Sequence, residues 1–497
     1  MEQLTCESHL PFDDSNFIDR PPSNSSLFNL FASVVLCSLW FAAGCKQSED
    51  GALKSQAPAP QTIVNAGAAE ASPVCYTPVN EITSLLGTLQ VGSAAEWKAP
   101  RDIIVHTPSE EVFVGVVHPA AALFERPFSL EGAQREHLNF ICLMKKSGAR
   151  VFRLEDILLA GTVNSKGEAL DGAFLSDLRK FAAGFLSYDV AQLPVDLQLQ
   201  QEQYRSKVIS ELHPRELVKI ILQHPSVRLE STNGHNTGFT ATYRLNPVMN
   251  MYFMRDQVIT TAKGVVLGHF NAVQREVESS IAKFAYGKLG IKPIYEVTGS
   301  GRLEGGDFLP AGDTAFLGQG LRSNEEAAQQ LLKAQAFGTK RVVIVKEPWK
   351  NQDQMHLDTY FNIAGEKIAI LVEDRLNLRD ASGAIIKPVN PERRLTIDVY
   401  ELGASGYSKV VADADFQDYV EKTMGFTLIP ISADDQLKYG INFLTVGEKK
   451  ILAIDGVSQD YKDRLARAGI EATWMDFYNL TGGYGAAHCT TQAVRRQ

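Results

Sequence analysis

Short apolar runs separated by helical spacings constrain the fold of this chain more than any other feature. Asp102-Ile103-Ile104-Val105-His106 stops at a Thr107-Pro108 turn, Leu138 to Met144 follows with helical periodicity, and Ala149-Arg150-Val151-Phe152-Arg153-Leu154 is again strand-like. Beyond residue 237 come Gly264-Val265-Val266-Leu267-Gly268, Arg341-Val342-Val343-Ile344-Val345, Lys367-Ile368-Ala369-Ile370-Leu371-Val372 and Lys450-Ile451-Leu452-Ala453-Ile454. Helical patterns such as Glu325 to Phe337 lie between them, the last headed by a predicted capping box of Ser323 with Glu326. Strands of this length alternating with single helices predict an α/β framework of repeated β/α units, although no strict internal repeat is visible.

The rhythm breaks between 160 and 237. Leu175-Leu178-Phe181 and Leu217-Ile220-Ile221 recur at helical spacing with no good strands between them, and Pro214 suits a first helical position. The expected layout is a helical insertion over 160–237 within an α/β catalytic domain made of 96–159 and 238–497.

The N-terminus has a different character. Residues 1–26 are polar and acidic, and 27–44 carry no charge over 18 positions. The run closes in Phe41-Ala42-Ala43-Gly44-Cys45, which resembles a bacterial lipobox, whose cysteine becomes a lipidated N-terminus after cleavage. Residues 1–45 are therefore expected to be an extension and signal, giving an exported protein lipid-anchored to the bacterial cell envelope at Cys45. The acidic stretch before the apolar run departs from the usual positive one and leaves an uncleaved anchor as the alternative; without a working signal the protein stays in the cytoplasm. Residues 46–95, rich in Ala, Pro, Ser, Gln and Gly up to about Pro78, are expected to be a flexible linker.

Composition excludes some partners. A net charge of −9 without a dense Lys/Arg run argues against nucleic acid and for a small molecule. The six cysteines form no CxxC pair, so neither a zinc ribbon nor a disulfide scaffold is indicated.

Chemistry concentrates in five places. Asn250 and Asp256, six apart, would share one face of an extended chain. Glu304 and Asp307 flank a diglycine; His356 and Asp358, two apart, would share a strand face; Arg275 and Arg322 each follow a strand-like run. Near the end, Thr481-Gly482-Gly483-Tyr484-Gly485-Ala486-Ala487-His488-Cys489 is backbone made to bend and to approach something closely. Singly each has an ordinary reading, as a turn cap, a solvated acid, a surface pair or an inert thiol. Together, three buried carboxylates cost several kcal/mol per ion unless a cation sits among them. With only His356 and His488 as nitrogen ligands and no HExxH or Cys pair, a guanidinium suits these acids better than a metal, so neither metal nor cofactor is expected.

Asn250-x-Tyr252-Phe253-x-Arg255-Asp256, Glu304-Gly305-Gly306-Asp307, Met355-His356-Leu357-Asp358-Thr359 and the glycine loop closing on His488-Cys489 resemble, in that order, the arginine deiminase family of the guanidino-group modifying superfamily. The resemblance covers about Trp97 to Thr491. It implies a five-bladed α/β propeller of ββαβ modules with the site in its central channel. It also implies hydrolysis of L-arginine to L-citrulline and ammonia, with Cys489 as nucleophile, His356 as general acid and then base, and Asp256, Glu304 and Asp358 holding the guanidinium. Asn250, Arg275 and Arg322 match positions facing the amino-acid end of the substrate. Two departures stand there: Tyr484 replaces an arginine that clamps the substrate carboxylate, and the acidic Phe-Asp-Asp element is Phe124-Glu125-Arg126 here. They keep open a deiminase or amidinotransferase acting on another guanidino compound or on peptidyl-arginine, and a non-catalytic envelope binding protein of the same fold.

Overall fold

The computed structural model describes residues 75–234 and 237–497. The expected signal, the lipobox at Cys45 and most of the expected linker lie outside them. The end of that linker is not one: α1 (Val79–Leu85) buries Ile82, Ser93 N donates to Thr261 O at 3.0 Å, and Glu96 is buried, so 79–95 is folded onto the body. Apolar side chains at Ile82, Leu85 and Leu86, and not composition alone, decide this.

The chain then runs through β1 (Pro100–Val105), α2 (Leu130–Lys146) and β2 (Arg150–Arg153), with β1 and β2 parallel from Asp102↔Arg150 to Val105↔Arg153. Parallel strands need a crossover of a dozen residues or more, which α2 supplies. The stretch 160–237 holds α3 (Ala173–Ala183), β3 (Ser187–Asp189), α4 (Val195–Glu211), α5 (Pro214–Gln223) and β4 (Pro225–Ser231), and β5 (Phe239–Leu245) follows. These strands form a sheet of order β3-β4-β5, contrary to the expectation of helices alone. Val227 and Leu229 alternate with Ser226, Arg228 and Glu230, but the run is short, half-buried at most and directly follows the helical spacing of α5.

Four stretches then repeat one plan. They are β6 (Val258–Thr260), β7 (Val265–Leu267), α6 (Glu276–Lys288) and β8 (Tyr295–Glu296); β9 (Phe308–Ala311), β10 (Thr314–Gln319), α7 (Glu325–Lys333) and β11 (Arg341–Lys346); β12 (Phe361–Gly365) and β13 (Ile368–Val372) with a later β18 (Thr427–Ile431); and β19 (Leu444–Gly447), β20 (Lys450–Ile454), α8 (Gln459–Arg467) and β21 (Glu471–Met475). In each, a hairpin is antiparallel and its second strand pairs parallel with the last. Between β13 and β18 the chain adds β14 (Leu378–Arg379) with β15 (Ile385–Lys387), and β16 (Thr396–Gly403) with β17 (Gly406–Asp415), the latter pair widening the β9–β11 sheet to the order β17-β16-β11-β10-β9. The final β22 (Gln492–Arg496) runs antiparallel to β1, so the two ends of the described chain complete one further sheet of the same kind. The central strands β7, β10, β13 and β20 are buried almost throughout, which is why they read as continuous apolar runs. Each fully buried Val, Leu, Ile or Phe in them contributes ~1.5–3 kcal/mol.

Two local expectations are corrected. Asn324, not Ser323, caps α7, accepting from Ala327 N at 3.1 Å. Cys75 and Cys142 form a disulfide across 67 residues, tying the segment before α1 to α2. Absence of a CxxC pair speaks only about close spacing, and these partners are neighbours through the fold.

Candidate active site

The glycine loop after β21 carries Cys489 into the interior, where it is 4% exposed. A Cβ at Gly483 would collide with the Tyr252 hydroxyl, so glycine there lets the loop lie against the 250–256 segment, and Tyr484 follows in the left-handed region at φ 70°. Glu136 on α2 fixes the start of the loop: its carboxylate accepts from Asn479 N at 2.9 Å and Leu480 N at 3.0 Å. Asn442 fixes the end, its Oδ1 accepting from Ala486 N at 3.1 Å and Cys489 N at 3.2 Å.

The other motifs converge here in shapes the sequence did not suggest. Asn250 to Asp256 is a series of turns and not an extended chain: Phe253 N donates to Asn250 O and Asp256 N to Phe253 O, at 3.0 and 3.3 Å. His356 and Asp358 do not share a strand face either. His356 caps the 3-10 turn Leu357–Thr359; its ring meets Glu304, while the Asp358 carboxylate meets His488. The diglycine is needed for proximity: a Cβ at Gly306 would stand 2.6 Å from His356 Nδ1, and Asp307 Oδ1 accepts from Leu357 N at 2.9 Å, binding the two motifs together.

The thiol of Cys489 donates to Asp358 Oδ2 at 3.7 Å, and the same oxygen lies 2.7 Å from His488 Nδ1. Behind His488 stands Glu96, whose Oε2 lies 2.6 Å from Arg496 Nη2. On the other side His356 Nε2 lies 3.0 Å from Glu304 Oε2, and its Nδ1 3.9 Å from Asp256 Oδ1. Burial pushes the Cys489 thiol well above its usual range, and Asp358 and Asp256 add to the rise. Burial would lower His356, but Asp256 and the hydrogen bond to Glu304 prevail and raise it to about 9. In turn Glu304, which burial alone would raise, is held at about 2, chiefly by His356. The resting site is thus a protonated thiol and a protonated imidazole.

Arg275, Arg322, Asn250 and Tyr484 line the same narrow cavity as Asp256, His356 and Cys489. Arg275 is not free to face a substrate: Nη1 lies 2.8 Å from Asp256 Oδ2, and Nε and Nη2 bind Glu278 at 3.0 and 2.8 Å. Asn250 Nδ2 is likewise committed to Ala122 O at 2.8 Å. Among the described residues Arg322 donates only to Gln352 Oε1, 3.1 Å from Nη2, and its Nε is buried without a partner. Asp256, Glu304 and His356 offer ligand atoms within 4.8 Å of one another, the spacing of a cation site, but two of those carboxylate oxygens already face Arg275 and His356. Among the described residues of these motifs, Asp256 Oδ1, Asp307 Oδ2 and Asp358 Oδ1 are buried without a hydrogen-bond partner. Glu278, Asn442, Glu96, Arg496 and Ser323, whose hydroxyl accepts from Glu304 N at 3.1 Å, carry no spacing that marks them in the sequence.

The arginine deiminase family model matches residues 121–496. The chain belongs to the arginine deiminase family. An arginine deiminase of Halobacterium salinarum is 25% identical over 82% of this chain and 97% of its own length, and one from Streptococcus equi subsp. zooepidemicus is 26% identical over 80% and 96%. Among solved structures, dimethylarginine dimethylaminohydrolase from Pseudomonas aeruginosa, in a variant complexed with citrulline, is 13% identical over 79% of this chain and 98% of its own, with a TM-score of 0.44. SxtG, an amidinotransferase from Microseira wollei, is 13% identical over 82% and 97%, at 0.46. The family match includes the loop from Tyr484 to Cys489 and every motif from Asn250 onward.

Proposed function

We propose that this protein hydrolyses L-arginine to L-citrulline and ammonia through a covalent Cys489 thiouronium intermediate. The observation that carries the reading is a buried thiol 3.7 Å from Asp358 Oδ2, in a cavity lined also by Asp256 and His356, with Asp256 Oδ1 and Asp358 Oδ1 buried and without hydrogen-bond partners. A planar guanidinium donates to such oxygens, and its charge offsets the carboxylates that hold the thiol protonated. The thiolate then attacks the guanidinium carbon, with Asp358 Oδ2 the adjacent proton acceptor. His356, protonated at neutral pH, donates as the C–N bond breaks and ammonia leaves, then accepts a proton from the water that attacks the thiouronium carbon and releases the sulfur. No step calls for a metal. Arg275 and Glu278 orient Asp256, and Arg322 supplies the cation for the substrate carboxylate.

In this reading the five sheets of like pairing are blades of an α/β propeller around the site, supported by the shared order of hairpin and parallel strand. The catalytic body is residues 96–159 and 238–497 with 79–95 added, and 160–237 is inserted in it. The protein is exported and anchored at Cys45; the Cys75–Cys142 disulfide favours an oxidising compartment. Among the described residues no helix is long and apolar enough to cross a membrane. The test is to assay the full-length protein for citrulline and ammonia from L-arginine. Formation of both in equal amounts supports the reading, and ammonia from other guanidino compounds but not from arginine overturns it. For the anchor, Cys45→Ser that still fractionates with membranes and still takes lipid label would refute lipidation at that residue.

A further inference from the structure

The cavity at Cys489 does not end at Tyr484. Gln352, Met355 and Tyr484 line both it and a second chamber of about 620 Å3, part of it open to solvent. Glu125, Asp353, Gln436, Tyr439 and Asn442 line this outer space, and no lysine or arginine is among the described residues that do. Glu125 accepts one bond there, from the Tyr439 hydroxyl at 2.6 Å. Burial raises the Tyr484 phenol, and Asp353 and Glu125 raise it further, so both carboxylates act on the residue at the junction.

The inner cavity has the opposite polarity at the same end. Arg322 is 7% exposed, its Nε has no partner, and it pairs with no carboxylate among the described residues; Glu304 feels its charge only from further off. A buried guanidinium without a counter-ion is costly, so it is a receptor for a carboxylate brought by the ligand. Outward from Cys489 the order is therefore a guanidinium site, a carboxylate receptor and a chamber of negative charge.

Resting on the guanidine-hydrolase reading above, we infer that the protein also deiminates the C-terminal arginine of short basic peptides. Arg322 holds the terminal carboxylate, the α-nitrogen points past Tyr484, and Glu125 and Asp353 receive a cationic residue before the arginine. The chemistry is unchanged: water replaces one guanidinium nitrogen, ammonia leaves with the proton from His356, and peptidyl-citrulline is formed with the peptide bond intact. The tyrosine at 484 permits this, because a long cation there would pair with Glu125 and Asp353 and close the junction.

The test is steady-state release of ammonia by the full-length protein from L-arginine, agmatine, Lys-Arg and Asp-Arg. The inference predicts that kcat/KM for Lys-Arg exceeds that for Asp-Arg by about fivefold or more, that Lys-Arg is turned over at least as well as arginine, and that agmatine, lacking the carboxylate, falls about tenfold or more below arginine. Asp353→Asn, with folding checked by circular dichroism, lowers the ratio of Lys-Arg to arginine turnover by about threefold; the wild-type panel stands if that variant does not fold. Arginine turned over while both dipeptides are inert, or Lys-Arg no better than Asp-Arg, overturns the outer chamber as a peptide subsite. Release from none of the four compounds instead overturns the hydrolase reading on which it rests.

Discussion

Around Cys489, Asp256, Glu304 and Asp358 each have one oxygen committed to a cation or a ring nitrogen of the chain, whereas at the outer end of the same cavity Arg322 keeps Nε unpaired and Tyr484 stands between carboxylates. The inner end is fixed by buried groups that hold one another, with Glu278, Glu96, Arg496 and Asn442 behind them. The outer end adds Arg322, whose Nε has no partner and which pairs with no carboxylate among the described residues, while at the inner end only single oxygens of otherwise paired acids, Asp256 Oδ1 and Asp358 Oδ1, are open. Buried charge pairs of the first kind are costly to break, while a side chain waiting for its partner alters affinity more than fold. In the proposed reaction the chemistry falls to residues that position one another, and recognition of the carboxylate to Arg322.

The comparison breaks most severely at the sulfur. Cys489→Ser is expected to lower citrulline formation by about 10⁴-fold or more with the fold retained, as read by circular dichroism. His356→Asn should cost 10²- to 10⁴-fold, the range of a positioned acid and base. Its pKa sharpens this further. With the folded value raised from 6.5 to about 9, the acid is present through neutral pH, so kcat/KM should hold to about pH 8 and fall as pH passes 9. The stability it contributes follows the same sign, complete below pH 6.5 and lost as pH rises through 9.

At the outer end the effect should move from rate to affinity. Arg322→Gln removes one charge-assisted contact worth about 1.5–3 kcal/mol, so KM for arginine should rise about 10- to 100-fold with a smaller change in kcat. A fall in kcat alone would place Arg322 with the chemistry instead. Away from both ends, Cys75→Ser should leave turnover at 25 °C nearly unchanged while lowering stability by about 2–4 kcal/mol in denaturant titration, since the disulfide closes 67 residues.

What the sequence disclosed follows the same division. The strand-helix rhythm marked β1, β2, β7, β11, β13 and β20 because strands buried on both faces read as apolar runs, and of the nine candidate residues Asn250, Asp256, Arg275, Arg322, His356, Tyr484 and Cys489 line one cavity. The local shapes were not legible. Asn250 to Asp256 turns and His356-x-Asp358 sits on a 3-10 turn because tertiary bonds, such as Asp307 to Leu357 N, override the extended spacing. Nor were the partners: Arg496 reaches Glu96 across 400 residues, Glu136 holds Asn479 across 343, and Asn442 donates to Asp358 O across 84. No local pattern carries such pairings. The strands of β3–β5 escaped for another reason: Val227 with Leu229, and Phe239 to Leu245 at every second residue, do alternate, but these positions are half-buried or exposed, so the chain there has none of the continuous apolar runs that marked the buried strands.

The central claim is the bond between Cys489 and the guanidine carbon. The most direct measurement mixes full-length His356→Asn with L-arginine, quenches in acid within milliseconds to minutes, and maps the peptides by mass spectrometry. The account predicts a covalent adduct on the peptide holding Cys489, slow to hydrolyse without the imidazole and absent from a Cys489→Ser, His356→Asn double variant. Ammonia released with no modified Cys489, or turnover retained by Cys489→Ser, would contradict it.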